Sequence, residues 1–170
     1  AALRQRATGP DAGPADALAF GALLLELGCR REAELQLVTA ATGGVADARH
    51  RLARLYALDG DLVRARRWLA AAPPTPAAMV SEGYLRFKER DFAAAVKSFE
   101  AALADGGPTL GDDRQRALLY LGKSLHEARD DARAVPVLEA LLAEGTGSVF
   151  EAGAAHTLRH IREPQHSAAH

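Results

Sequence analysis

Residues 83–103, GYLRFKERDFAAAVKSFEAAL, decide the fold. Gly83 is followed by Ala95 twelve positions later, and a turn at Arg90-Asp91 separates two stretches whose apolar residues recur at helical spacing. Three other segments carry the same small residue and Ala twelve positions apart: Gly21 with Ala33, Ala53 with Ala65, and Gly122 with Ala134. The intervening turns are Gly28-Cys29, Gly60-Asp61 and Arg129-Asp130. At three of the four turns an aspartate can accept the orphan amide hydrogens of the following helix.

Each segment therefore reads as two antiparallel amphipathic helices that meet closely where Gly and Ala face each other. The pattern predicts helices at 14–27, 31–42, 46–58, 61–72, 76–89, 92–104, 113–128, 131–144 and 149–162. Thr75 before Pro76 is a start signal, because Pro at the first helical position forfeits no hydrogen bond. Pro136 falls inside the eighth helix, where a mild kink is expected. Ser148 with Glu151 reads as a capping box opening a ninth helix, with Val149, Phe150, Ala154, Leu158 and Ile161 on its inner face.

These segments resemble the tetratricopeptide repeat family, whose pattern of about 34 residues runs W-x₂-L-G-x₂-Y, A-x₃-F, P. Ala17, Phe20, Gly21 and Leu24 with Ala33 and Leu37 fit the first copy, and Leu52, Ala53 and Tyr56 with Ala65 and Leu69 the second. Gly83, Ala95 and Phe99 fit the third; Leu118, Leu121, Gly122 and Leu125 with Ala134 and Leu138 fit the fourth. The resemblance implies an all-α fold, a right-handed α-solenoid. Its repeats would span about 14–45, 46–75, 76–112 and 113–145, with a capping helix at 148–162 and flexible segments at 1–13 and 163–170. Two departures stand out. The small positions 21, 53, 83 and 122 are spaced by 32, 30 and 39, so a longer loop, 106–113, precedes the fourth copy. Glu82 and Arg86 also fall where the family has core-facing residues, which predicts a rotated or shifted fifth helix.

The family geometry lines a concave groove with the first helix of each repeat, and that groove receives a peptide or a helix of another protein. By register the groove would hold Leu18, Ala22 and Leu25; Asp47, His50 and Arg54; Val80, Tyr84 and Phe87; and Arg116, Leu119, Lys123 and His126. The expected partner-binding residues are His50, Arg54, Tyr84, Phe87, Arg116, Leu119, Lys123 and His126. They suit a protein or peptide with apolar anchors and an acidic group. One subclass of the family clamps a terminal carboxylate with Lys, Arg and two Asn. This chain contains no Asn and has Ala22 and Arg54 at matching positions, so that activity is not expected.

Composition narrows the function classes. Of 170 residues, 48% are hydrophobic and 25% charged, ordinary for a globular chain. A net charge of -1 lacks the positive field of a nucleic-acid binder. One cysteine, Cys29, excludes an internal disulfide and any multi-cysteine zinc site. The absence of Asn, the three Lys and the many Ala and Arg fit a GC-rich bacterial genome. Arg4, Arg6, the run from Ala17 to Leu25 and Leu27-Gly28-Cys29 superficially resemble a lipoprotein signal, but Asp11, Asp16 and Glu26 interrupt it. No apolar run reaches the length of a membrane span, about 18 residues. The chain starts at Ala1 without Met, which fits a processed protein or an excised domain. A cytoplasmic location is the default, or a periplasmic or membrane-associated one if a leader was removed.

No constellation of nucleophile, acid and base emerges, and no enzyme is expected. His156 and His160 have metal-ligand spacing, but Thr157 stands where a zinc protease needs Glu, so they read as surface histidines and no metal is expected. The glycine pairs Gly43-Gly44 and Gly106-Gly107 are turns, since no Lys-Ser/Thr follows to complete a nucleotide loop. Trp68 reads as a packing residue. No cofactor is expected, and self-association is left open. The expectation is a noncatalytic interaction module, an adaptor, scaffold or assembly factor. The alternative is a regulatory or targeting domain of a larger enzyme or of a secretion or envelope assembly protein.

Overall fold

The structure is a computed structural model and describes Gly9 and residues 12–163. The expected flexible segments at 1–13 and 163–170 lie largely outside the described residues. Among the described residues the chain forms nine α-helices and no strand. The helices are α1 (Pro14–Glu26), α2 (Arg30–Thr42), α3 (Asp47–Leu58), α4 (Leu62–Ala70), α5 (Pro76–Lys88), α6 (Phe92–Gly106), α7 (Asp112–Glu127), α8 (Asp131–Ala143) and α9 (Val149–Arg162). They pack in consecutive pairs, α1 on α2 through α7 on α8. Each pair leans on the next through α2 on α3, α3 on α5, α5 on α7 and α6 on α7. The result is an all-α helical repeat solenoid. Every helix end falls within two residues of its sequence-based position.

One turn is repeated four times. Gly28, Gly60, Arg90 and Arg129 take φ of 75°, 84°, 64° and 65°, the left-handed conformation that ends a helix. The next residue then donates its N–H back to a carbonyl of the finished helix: Cys29 to Leu24, Asp61 to Tyr56, Asp91 to Arg86 and Asp130 to Leu125, all within 2.9–3.0 Å. Asp61, Asp91 and Asp130 then cap the second helix by accepting from the N–H groups of Arg64, Ala94 and Arg133. Cys29 occupies the same position with φ -81° and ψ 67°, close to the -82° and 75° of Asp61, yet supplies no cap. Cys29→Asp should therefore raise stability by about 1 kcal/mol, measured as a higher urea midpoint at unchanged slope. A midpoint equal to wild type would show that α2 gains nothing from a cap there.

In three of the four hairpins a glycine of the first helix receives a large residue sixteen positions on. Gly21 faces Leu37, Gly83 faces the ring of Phe99 and Gly122 faces Leu138, and all three partners are fully buried. This shared register overturns the expected rotation of the fifth helix. In α5, Gly83 is held against Phe99 while Glu82 and Arg86 lie at the surface, 3.6 Å apart as an ion pair. Being solvated there, they need no core position.

Thr75 caps α5 by accepting from the Ala78 N–H, with Pro76 at the first helical position as expected. Helix α8 continues through Pro136. Trp68 is half-buried and packs against the main core. The end cap is α9, which packs on α7 and α8. Its inner face is Ala154, Thr157 and Leu158, with Phe150 and Ile161 half-buried. Val149 does not join that face: at the first position of α9 it is 79% exposed. Ser148 caps α9 by accepting from the Glu151 N–H, but Glu151 completes no reciprocal box. Its carboxylate accepts instead from the N–H groups of Thr146 and Gly147, at 2.6 and 2.8 Å.

Candidate protein-binding groove

The first helices of the repeats, together with α9, line a groove of about 550 Å³. Its walls are Ala22 and Leu25 of α1, Leu58 of α3, Tyr84 of α5, Tyr120 of α7 and Phe150 of α9. Tyr84 meets Tyr120 edge to face at 4.8 Å, and Phe87 meets Tyr120 at 5.2 Å. The rings of Tyr84 and Tyr120 form an aromatic band in the groove, and Phe87 packs on Tyr120 outside its lining.

Charge is concentrated beside that band. Arg54 Nη1 donates to Asp113 Oδ1 at 2.7 Å, and Arg116 donates to the same oxygen. Arg51 stands close enough to act on Asp113 electrostatically while it donates to Asp47 at 3.2 Å. Burial pushes the carboxyl of Asp113 up, but Arg54 and Arg116 outweigh it and hold Asp113 below the usual carboxylate range. Burial, then the repulsion of Arg116, push Arg54 down to about 10, so the pair is ionised at neutral pH. Burial and Tyr120 push the Tyr84 phenol up, and it stays neutral.

Asp113 reaches Arg54 because the fourth repeat begins early. Counted from Gly122, Asp113 lies nine positions back; the matching positions in α1, α3 and α5 are 12, 44 and 74, all before their helices start. The inserted segment is no open loop. Helix α6 runs on to Gly106, a 3-10 turn covers Gly107–Leu110, and α7 opens at Asp112 with an extra turn. Arg114 and Gln115 anchor that turn to Glu144 at 3.1 and 3.0 Å. The carboxylate of Asp113 also sits at the positive end of the α7 dipole.

The expected binding residues divide. Arg54, Tyr84 and Arg116 line the groove. His50 does not: it is fully buried, with Nε2 2.7 Å from Asp47 Oδ1 and Nδ1 3.2 Å from Ser81 Oγ. Leu119 is buried under α9, where it packs against Gly153. Phe87 is half-buried between Phe92 and Tyr120. Lys123 lies over the Tyr120 ring at 5.5 Å, and His126 Nδ1 lies 2.6 Å from Asp131 Oδ1 at the turn into α8. Of the other register positions, Ala22 and Leu25 line the groove, whereas Val80 is fully buried and Asp47 is spent on His50 and Arg51. Asp113, Tyr120, Arg51 and Phe150 are groove residues the sequence reading missed. The spacing of 39 before the fourth copy was the available signal for Asp113.

His156 and His160 lie ring to ring at 4.7 Å on α9, and no group of three or more metal-ligating side chains forms among the described residues. No described helix is long and apolar enough to cross a membrane.

Residues 80–149 match the family described as the tetratricopeptide repeat. That match and the nine-helix fold fit a tetratricopeptide-type repeat protein. The match runs from Val80 within α5 to Val149, the first residue of α9; the turns of the first two copies follow the same hydrogen-bond pattern. No curated protein and no solved structure matches the chain. Tetratricopeptide repeats are in general noncatalytic and mediate protein–protein interaction.

Proposed function

We propose that this tetratricopeptide domain, four repeats over 14–145 closed by α9, is a noncatalytic adaptor that holds an extended segment of another protein in its concave groove. The reading rests on one observation: a groove of about 550 Å³ places two guanidiniums that share a single carboxylate oxygen beside a band of aromatic and aliphatic walls. Such a surface suits a segment with an acidic residue flanked by apolar ones. The walls supply burial and the guanidiniums supply charge-assisted hydrogen bonds.

Panning a random peptide display library on the immobilised chain tests this. The enriched peptides should combine an acidic residue with aromatic or aliphatic neighbours. Leu25→Asp and Arg116→Ala should each weaken their binding by about tenfold or more, with the helical circular dichroism unchanged. Peptides that bind both variants as tightly as wild type would place the binding surface elsewhere.

A further inference from the structure

The Arg54–Asp113 ion pair joins residues 59 apart in the chain and skips a repeat. Arg54 belongs to α3, Asp113 to α7, and α5 packs between those two helices. Both side chains are only 12% exposed, and both line the groove. The carboxylate thus occupies the place where two guanidiniums converge, in a groove to which α1 and α3 give Ala22, Leu25 and Leu58, and α7 and α9 give Tyr120 and Phe150, with Glu26 and Asp112 also in the lining. One carboxylate oxygen serves both cations, so even with Asp113 in place Arg54 and Arg116 together carry one positive charge more than their partner neutralises.

We infer that Asp113 is an internal stand-in for an acidic side chain of the partner: in the free protein it fills the anion position between Arg54 and Arg116 and ties the second repeat to the fourth, and a partner carboxylate binds by taking its place. This rests on the groove reading above. Because α1 and α3 as well as α7 and α9 give apolar residues to the lining, the residue it receives is an internal Asp or Glu of a chain running along the groove. The exchange also sets specificity. A bare anion gains little by replacing Asp113, whereas a carboxylate flanked by apolar residues gains the burial of its neighbours as well. Release of Asp113 frees the second and fourth repeats from each other, so binding and groove shape are linked through the same ion pair.

Inorganic phosphate is the probe that needs no partner. Titrated at constant ionic strength by calorimetry or by arginine side-chain NMR, wild type should bind it weakly. Asp113→Asn, with both guanidiniums left without their counter-ion, should bind it at least tenfold more tightly. Arg54→Gln in the Asp113→Asn background should remove that gain. Asp113→Ser is carried in parallel, so a folding defect peculiar to the amide leaves a second neutral variant to read. The acidic peptides enriched on wild type should likewise bind Asp113→Asn about tenfold more tightly, because no internal carboxylate competes. Equal phosphate affinity in wild type and in the folded neutral variants would overturn the inference, and so would a gain that survives loss of Arg54. Those outcomes leave the groove reading intact if the peptides still respond to Leu25→Asp. A phosphate gain with no groove-directed peptide leaves Asp113 as the occupant of an anion site and removes the partner from it.

Discussion

Asp113→Ala should lower stability by about 2–4 kcal/mol, an outsized loss for a residue at the first turn of a helix, because it strands two guanidiniums in a partly desolvated groove. Arg54 is 12% exposed and Arg116 23%, so water reaches them poorly. The loss should be mostly coupling, not packing. In a double-mutant cycle Arg54→Met with Asp113→Ala should be more stable than Asp113→Ala alone, since only Arg116, the more exposed of the two guanidiniums, is then left without its carboxylate. Urea unfolding of the four proteins reads the cycle, and additive effects would mean that the pair contributes no link between α3 and α7. The pH dependence has a definite sign. Asp113 has a folded pKa held below its ordinary 3.8, so its contribution is fully present above that value and disappears as pH falls through the folded one. The stability curves of wild type and Asp113→Ala should converge in acid.

What the sequence made legible was everything that repeats. A turn that needs a left-handed residue followed by a cap, and a small residue that must meet a large one, leave their marks at fixed offsets and survive variation elsewhere. The facing of individual side chains was less legible. The register placed Arg116, Leu119, Lys123 and His126 in the groove, whereas α7 presents Asp113, Arg116 and Tyr120. Arg116 is common to both sets. The displacement arises because a helical side chain covers the surface over the turn before its own Cα, and because α9 claims Leu119 through the gap left by Gly153. His50 was illegible for another reason: it is buried and hydrogen-bonded to Ser81, 31 residues away on α5, and no local pattern announces that pair. The extra turn that delivers Asp113 was visible only as an irregular spacing, which a sequence reading naturally assigns to a loop.

The small-to-large register predicts a graded response to alanine. A Cβ at Gly122 would lie 2.4 Å from Leu138 Cδ2 and 2.5 Å from Leu138 Cγ, and one at Gly83 would lie 2.7 Å from the Phe99 ring. Leu138 and Phe99 are fully buried and cannot swing away, so the paired helices must separate. Gly122→Ala and Gly83→Ala should each lose about 1–3 kcal/mol to overpacking, only partly offset by the better helix propensity of Ala, worth about 1 kcal/mol. At Gly21 the nearest approach is 3.0 Å to Leu37 Cγ, and a shift of a few tenths of an ångström relieves it. There the propensity gain and the strain should nearly cancel. In the second hairpin Ala53 stands at the same register position, and Leu69, sixteen residues on, is only half-buried. Chemical denaturation of the three variants should therefore rank Gly122→Ala as most destabilised, then Gly83→Ala, then Gly21→Ala near wild type. A loss at Gly21 equal to that at Gly122 would mean that the hairpin angle is set by the turns and not by the contact of small residue with large.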